Sequence, residues 1–241
     1  MIIKEVKPFG NGAQIVVPKG WIGRKIIIEL KTKDIEDIQK DIINNIKDLS
    51  KVVSIVLIGS YAREEQLMES DVDIVIFCIE KLKIDLPNYH IILVNVNKLK
   101  EEIILNPALF KSILDEGVVI LNSNFLNNIK INNAAIKKYK KDCYDAYLLN
   151  KEFINLDKKQ NALSPSIIYS IILRLRSLFI LKNKYLFKEF RSWLIKNNIQ
   201  EFDKLYNIYK SVRDNKILKN IDYKLINEVE KANEFLCEQL K

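Results

Sequence analysis

The chain has 241 residues, 48% of them hydrophobic, which is enough for one large core or two to three small ones. Its net charge is +8, no apolar run reaches membrane-spanning length, and the start lacks the layout of a signal peptide, so no membrane partner and a cytoplasmic location are expected. Cys78, Cys143 and Cys237 are far apart and His90 is the sole histidine, which argues against a disulfide framework, a histidine-rich metal centre, and Ser-His-Asp or Cys-His catalysis.

Residues 1–30 differ from the rest in composition, holding four of the six glycines, at positions 10, 12, 20 and 23. They predict short strands at Ile3 to Val6, Gln14 to Val17 and Lys25 to Leu30, with a turn at Gly10-Asn11-Gly12. Strands this short cannot bury a core alone, so this segment needs a partner chain or a neighbouring domain.

Asp34 to Leu49 predicts an amphipathic helix, with Ile35, Ile38, Ile42, Ile46 and Leu49 on one stripe. An apolar strand follows from Val52 to Ile58 and stops at Gly59-Ser60. After ten further residues, Asp71-Val72-Asp73 opens a second strand that runs to Ile79. Side chains alternate across a strand, so Asp71 and Asp73 share one face and Val72, Ile74 and Ile76 the other. Adjacent carboxylates repel each other and suit a hard divalent cation such as Mg²⁺. The Gly-Ser turn offers backbone N–H groups and a hydroxyl to a phosphate, and glycine lets that ligand approach closely. His90 falls within a third strand, Tyr89 to Val96, with no special role expected. A helix over Pro107 to Leu114, a helix stop at Gly117 and a strand over Val118 to Leu121 complete an α/β layer.

Asn122 to Asn133 reads as a linker. Five helices are expected beyond it: Ala134 to Asn150, one starting at Ser164-Pro165, Phe187 to Lys196, Phe202 to Val212, and Tyr223 to Leu240. Residues 130–219 carry 20 Lys plus Arg against 8 Asp plus Glu, a net +12. That charge fits either a polyanionic partner or a lysine-rich solvated helical surface. Arg174 and Arg176 could reach toward nucleotide phosphates or the acceptor, but the solvated flank of their helix is the expected place.

Gly59-Ser60-x-Ala62-Arg63, followed at the right distance by Ser70-Asp71-x-Asp73, resembles the signature of the DNA polymerase β-like nucleotidyltransferases, most closely the minimal nucleotidyltransferases. The resemblance covers roughly residues 34 to 121. It implies nucleotidyl transfer, with AMP from ATP as the default, to a hydroxyl of a protein, a small molecule or an RNA. It assigns Asp71 and Asp73 to catalysis and Mg²⁺, Gly59, Ser60 and Ser70 to the nucleotide, and Arg63 to the leaving pyrophosphate. The family usually carries a third carboxylate on the strand after Asp-x-Asp, and none is present there. Asn95 could take that place, or an acid from the first helix of the bundle could, such as Asp142, Asp145 or Glu152.

The string Val6-Lys-Pro-Phe-Gly-Asn-Gly, with Val17-Pro-Lys and Trp21-Ile-Gly, resembles short transposon-associated proteins and, more distantly, swapped-hairpin AbrB-type DNA-binding domains. That implies a homodimer and gives Lys4, Lys7, Lys19, Arg24 and Lys25 as DNA phosphate contacts. The helical segment resembles the bundles that follow nucleotidyltransferase domains in kanamycin-type enzymes and in the HEPN group. The Arg-x₄₋₆-His motif of HEPN ribonucleases is absent. The expected fold class is α+β, in three parts: a small β segment at 1–31, an α/β nucleotidyltransferase domain with a mixed sheet at 34–121, and a helical bundle at 130–241. A rival reading is a dimeric DNA-binding regulator or mobile-element accessory protein with a non-catalytic nucleotide-binding domain.

Overall fold

A computed structural model describes residues 4, 6–28, 32–66, 70–216, 218 and 221–241. The chain forms two compact units, Met1–Thr32 and Lys33–Lys241.

In the first unit, β1 (Lys7–Phe9) and β2 (Gly12–Gln14) form an antiparallel hairpin with Phe9 opposite Gly12. Gly10 turns the hairpin at φ +55°. The strand predicted at Gln14 to Val17 thus lies earlier in the chain. Lys25 to Ile28 form no strand, and residues 29 and 30 lie outside the described residues, as do Ile3 and Glu5 of the first predicted strand. A strand needs a partner, and here the hairpin supplies only its own two arms. No described residue of this unit is buried, and Phe9 and Ile27 are 67% and 93% exposed.

The second unit opens with α1 (Ile35–Asn45), whose first turn is capped by Asp34 accepting from the Asp37 N–H at 2.9 Å. The helix ends four residues before the predicted Leu49, because Ile46 is already extended. β3 (Val52–Ile58) runs straight into α2 (Gly59–Ala62), the short helical turn at the Gly-Ser motif. β4 (Val72–Cys78) and β5 (Tyr89–Asn95) follow, then α3 (Leu99–Leu105), α4 (Pro107–Glu116) and β6 (Val118–Leu121). Periodicity did not reveal α3.

The sheet order is β5-β4-β3-β6. β3 is antiparallel to β4 and to β6, while β4 and β5 are parallel, so the sheet is mixed. Alternation divides the core between its two faces. Ile55, Leu57, Val72, Ile74 and Ile76 pack under Ile38 and Ile42 of α1. Val56, Ile58, Val75 and Phe77 pack with Ile103 of α3 and with Phe110 and Ile113 of α4. Gly117 ends α4 at φ −65°, not in the left-handed region. Glycine is required there because a Cβ would meet Val56 Cγ1 at 2.7 Å.

Beyond β6, α5 (Asn133–Gln160), α6 (Pro165–Lys182), α7 (Phe187–Lys196), α8 (Phe202–Arg213) and α9 (Ile226–Glu238) make the helical part. α5 runs ten residues past its predicted end. Its buried Asp157 accepts the Ser164 N–H at 2.6 Å and the Ser164 hydroxyl at 2.9 Å, which ties the last turn of α5 to the residue before α6. The core of this part is centred on α6, with Ile168, Ile171, Leu175 and Phe179 buried against α8 and α9. Among the described residues no helix is long and apolar enough to cross a membrane.

Candidate active site

The two motifs meet at the end of the β3–β4 pair. Register places Ile58 opposite Asp73, so Gly59, the next residue, lies beside the Asp73 carboxylate. Gly59 adopts φ +75°, a left-handed conformation that glycine reaches without steric cost. A Cβ there would lie 3.1 Å from Asp73 Cγ and closer still to Oδ2. The turn and the carboxylate are therefore one packed unit, 13 positions apart in sequence from Ser60 to Asp73. Ser60 is half-buried in α2, and Ser70 is half-buried just before β4. Asp71 is exposed at the mouth of β4, one alternation step from Asp73.

Parallel pairing sets His90 of β5 beside Asp73 of β4. His90 Nδ1 lies 3.0 Å from Asp73 Oδ1. The strand is steadied from its other face, where the Tyr89 hydroxyl donates to Asp41 of α1 at 2.7 Å and Lys33 pairs with the same carboxylate at 2.6 Å. Burial first, and then Asp41, push the Tyr89 hydroxyl above its ordinary pKa, so it stays a donor. Sequence reasoning gave His90 no role. A signal was present: it is the polar residue at the second place of β5, just as Asp73 is at the second place of β4.

The same register removes Asn95 as a stand-in for the third carboxylate. Asn95 pairs with Cys78 at the far end of the strand, about 16 Å along from His90 at a strand's rise per residue. Its side chain accepts from the Asn97 N–H at 2.9 Å. Asp142, Asp145 and Glu152 are exposed on α5. Among the described residues, no three His, Cys, Asp or Glu side chains are gathered as a metal cage.

Arg63 is held by two carboxylates. Its guanidinium donates to Glu116 of α4 at 3.0 Å and to Glu65 at 2.9 Å, and stands 5.1 Å from the Tyr185 ring centre. The Arg63 and Glu116 side chains are only 9% and 2% exposed. Glu116 also accepts from the Ser112 hydroxyl. Arg63 thus fastens α2 to α4 and to the helical part. Arg176 of α6 is half-buried, with its guanidinium 4.6 Å from the same Tyr185 ring. Arg174 donates to the Ser170 carbonyl and hydroxyl at 2.9 and 2.8 Å. Neither arginine belongs to a solvated flank.

Lys4, Lys7, Lys19, Arg24 and Lys25 are all exposed in the first unit. The shallow cleft lined by Asn45, Lys47 and Asp85 and that lined by Lys196, Glu234 and Glu238 share no residue with the Gly59–Asp73–His90 cluster.

Residues 39–201 match the sequence profile of the family described as Nucleotidyltransferase domain. The chain belongs to this nucleotidyltransferase family. The match spans most of the chain and runs from α1 past the sheet into the helical part as far as the end of α7. The chain is accordingly an enzyme of the nucleotidyl-transfer class. It is 38% identical over 81 residues to a "Putative protein adenylyltransferase" of Methanocaldococcus jannaschii, an overlap of 31% of this chain and 83% of that protein. Residues 1–30 match the family described as "Putative transposon-encoded protein". A nucleotidyltransferase-like protein from Exiguobacterium sibiricum, of known crystal structure, aligns over 83% of this chain and 74% of its own, at 11% identity and a TM-score of 0.35.

Proposed function

We propose that this nucleotidyltransferase moves AMP from ATP to a hydroxyl of a protein, small-molecule or RNA acceptor. The acceptor oxygen forms a new bond to the α-phosphorus while the bond from that phosphorus to the β-bridging oxygen breaks, and pyrophosphate leaves with its electron pair. One observation carries the reading: Gly59, at φ +75°, is packed against the Asp73 carboxylate, so a phosphate-approachable turn and an acidic strand end share one surface. The protein adenylyltransferase description of the Methanocaldococcus relative supports ATP as the donor and gives a protein hydroxyl as the first acceptor to test.

Asp71 and Asp73 fit a hard divalent cation, by expectation Mg²⁺, because both are carboxylates at solvent-open positions beside a turn without a side chain. Such a cation, when bound, neutralises charge on the triphosphate. Gly59 lets the Asp73 carboxylate lie against the turn, and Ser60 and Ser70 border the two motifs as the hydroxyls proposed for the phosphates. Arg63, held by Glu116, fixes the direction of α2. The chain's contribution is to place groups in line and to stabilise charge. An α-phosphate-labelled ATP assay on a whole-cell lysate tests this and reveals the acceptor class at once.

The first unit supports a second, independent proposal: it docks on DNA as part of a homodimer. Five cations and several large apolar side chains are exposed on it in one chain, and its sequence matches a transposon-encoded family. A second copy would cover the apolar residues and leave the cations for phosphates. Retention on DNA at low salt, lost on deletion of residues 1–32, is the expected result. No retention even at low salt would remove the DNA part of this proposal.

A further inference from the structure

His90 and Asp73 are matched residues of parallel neighbours, so their side chains leave the sheet on the same face. The imidazole is 64% exposed and the carboxylate 33%, so both open to the same solvent. Nδ1 and Oδ1 share one hydrogen bond. The 3.0 Å between these atoms has a second meaning. Two ligands at right angles in an octahedral shell, each about 2.1 Å from the ion, lie about 3.0 Å from one another. A cation could therefore replace the shared proton with little movement of either side chain. Asp73 Oδ2 faces Gly59, toward the space where the phosphates are proposed to lie. Beside Asp71, these two side-chain donors with waters and phosphate oxygens suffice for a nucleotide-borne cation, and no closed cage is needed.

We propose that Asp73 and His90 form a mixed oxygen–nitrogen seat for the divalent cation, which therefore favours imidazole-binding ions such as Mn²⁺ or Co²⁺ over Mg²⁺. This rests on the reading of Asp73 as a cation ligand given above. A nitrogen donor strengthens binding along the transition series far more than it does for Mg²⁺, which prefers oxygen. The imidazole stands on the strand where the family pattern places its third acid, and it changes the preferred ion.

The test is Mn²⁺ titration of the full chain with a non-hydrolysable ATP analogue, followed by electron paramagnetic resonance. Free Mn²⁺ gives the affinity, and pulsed measurements detect nitrogen bound directly to the metal. Wild type should show nitrogen coupling. His90→Ala should lose it and bind Mn²⁺ about tenfold or more weakly, with Mg²⁺ affinity changed less. His90→Asp should also lose the coupling and shift the preference toward Mg²⁺. His90 is exposed, and equal melting temperatures would confirm that the variants are folded. Mn²⁺ binding that depends on Asp73 but shows no nitrogen coupling and is unchanged in His90→Ala overturns the proposal and leaves the role of Asp73 standing. Binding that survives Asp73→Asn overturns both.

Discussion

The Asp73 carboxylate occupies the space that a side chain at Gly59 would need. Gly59 is also held at φ +75°, where L-residues pay a steric penalty. Gly59→Ala therefore meets two separate obstacles. The backbone strain alone costs about 1 to 2 kcal/mol. The new methyl must also push Asp73 aside, away from the proposed cation. We expect a moderate fall in melting temperature and a much larger loss of ATP affinity, both measured on the same variant. Early melting with normal ATP binding would show that Gly59 serves only the turn.

Asp73→Asn should separate metal binding from folding. The amide oxygen can still accept from His90, so the melting temperature without metal should stay within about 2 °C of wild type. Cation-dependent ATP affinity should fall about tenfold or more. Melting curves with and without the cation and nucleotide read both effects, since ligands that bind only the folded state raise its stability.

Arg63 and Glu116 form a pair shielded from water, with 9% and 2% side-chain exposure. Removing one partner of such a pair leaves a buried charge and costs about 3 to 5 kcal/mol. Arg63→Ala and Glu116→Ala should each lower the denaturant midpoint sharply. The double variant should be more stable than the sum of the two losses implies. Additive losses would mean that the ion pair does not couple α2 to α4.

Burial pushes the Cys143 thiol up to about 11 and raises the Cys78 thiol as well. Both side chains are buried, whereas Cys237 is half-buried. Near neutral pH a disulfide-exchange reagent should therefore label Cys237 first and the other two only on unfolding. Fast labelling of Cys143 in the native protein would contradict the packing of α5.

The sheet was readable from sequence because its strands are short apolar runs with abrupt ends. Val52 to Ile58 and Val118 to Leu121 lie where patterning placed them. The first unit was less readable, because exposed strands follow pairing partners and not an inside–outside alternation. The site was half readable. Gly59 and Asp73 declare themselves by motif, but their contact depends on the register of β3 with β4. His90 needed the parallel register of β4 with β5, which nothing within a single strand encodes. For Arg63 the motif could not show its counter-ion, which lies 53 residues later in the chain, at Glu116.

The central claim is nucleotidyl transfer from the Gly59–Asp73 surface. Its most direct test supplies ATP labelled at the α-phosphate, with Mg²⁺ or Mn²⁺ and a whole-cell lysate, to the wild-type chain and to Asp73→Asn. The account predicts that label passes to an acceptor in the wild type, that label placed on the γ-phosphate does not, and that Asp73→Asn transfers neither. Transfer of the γ-label, or α-label transfer undiminished in Asp73→Asn, would contradict it.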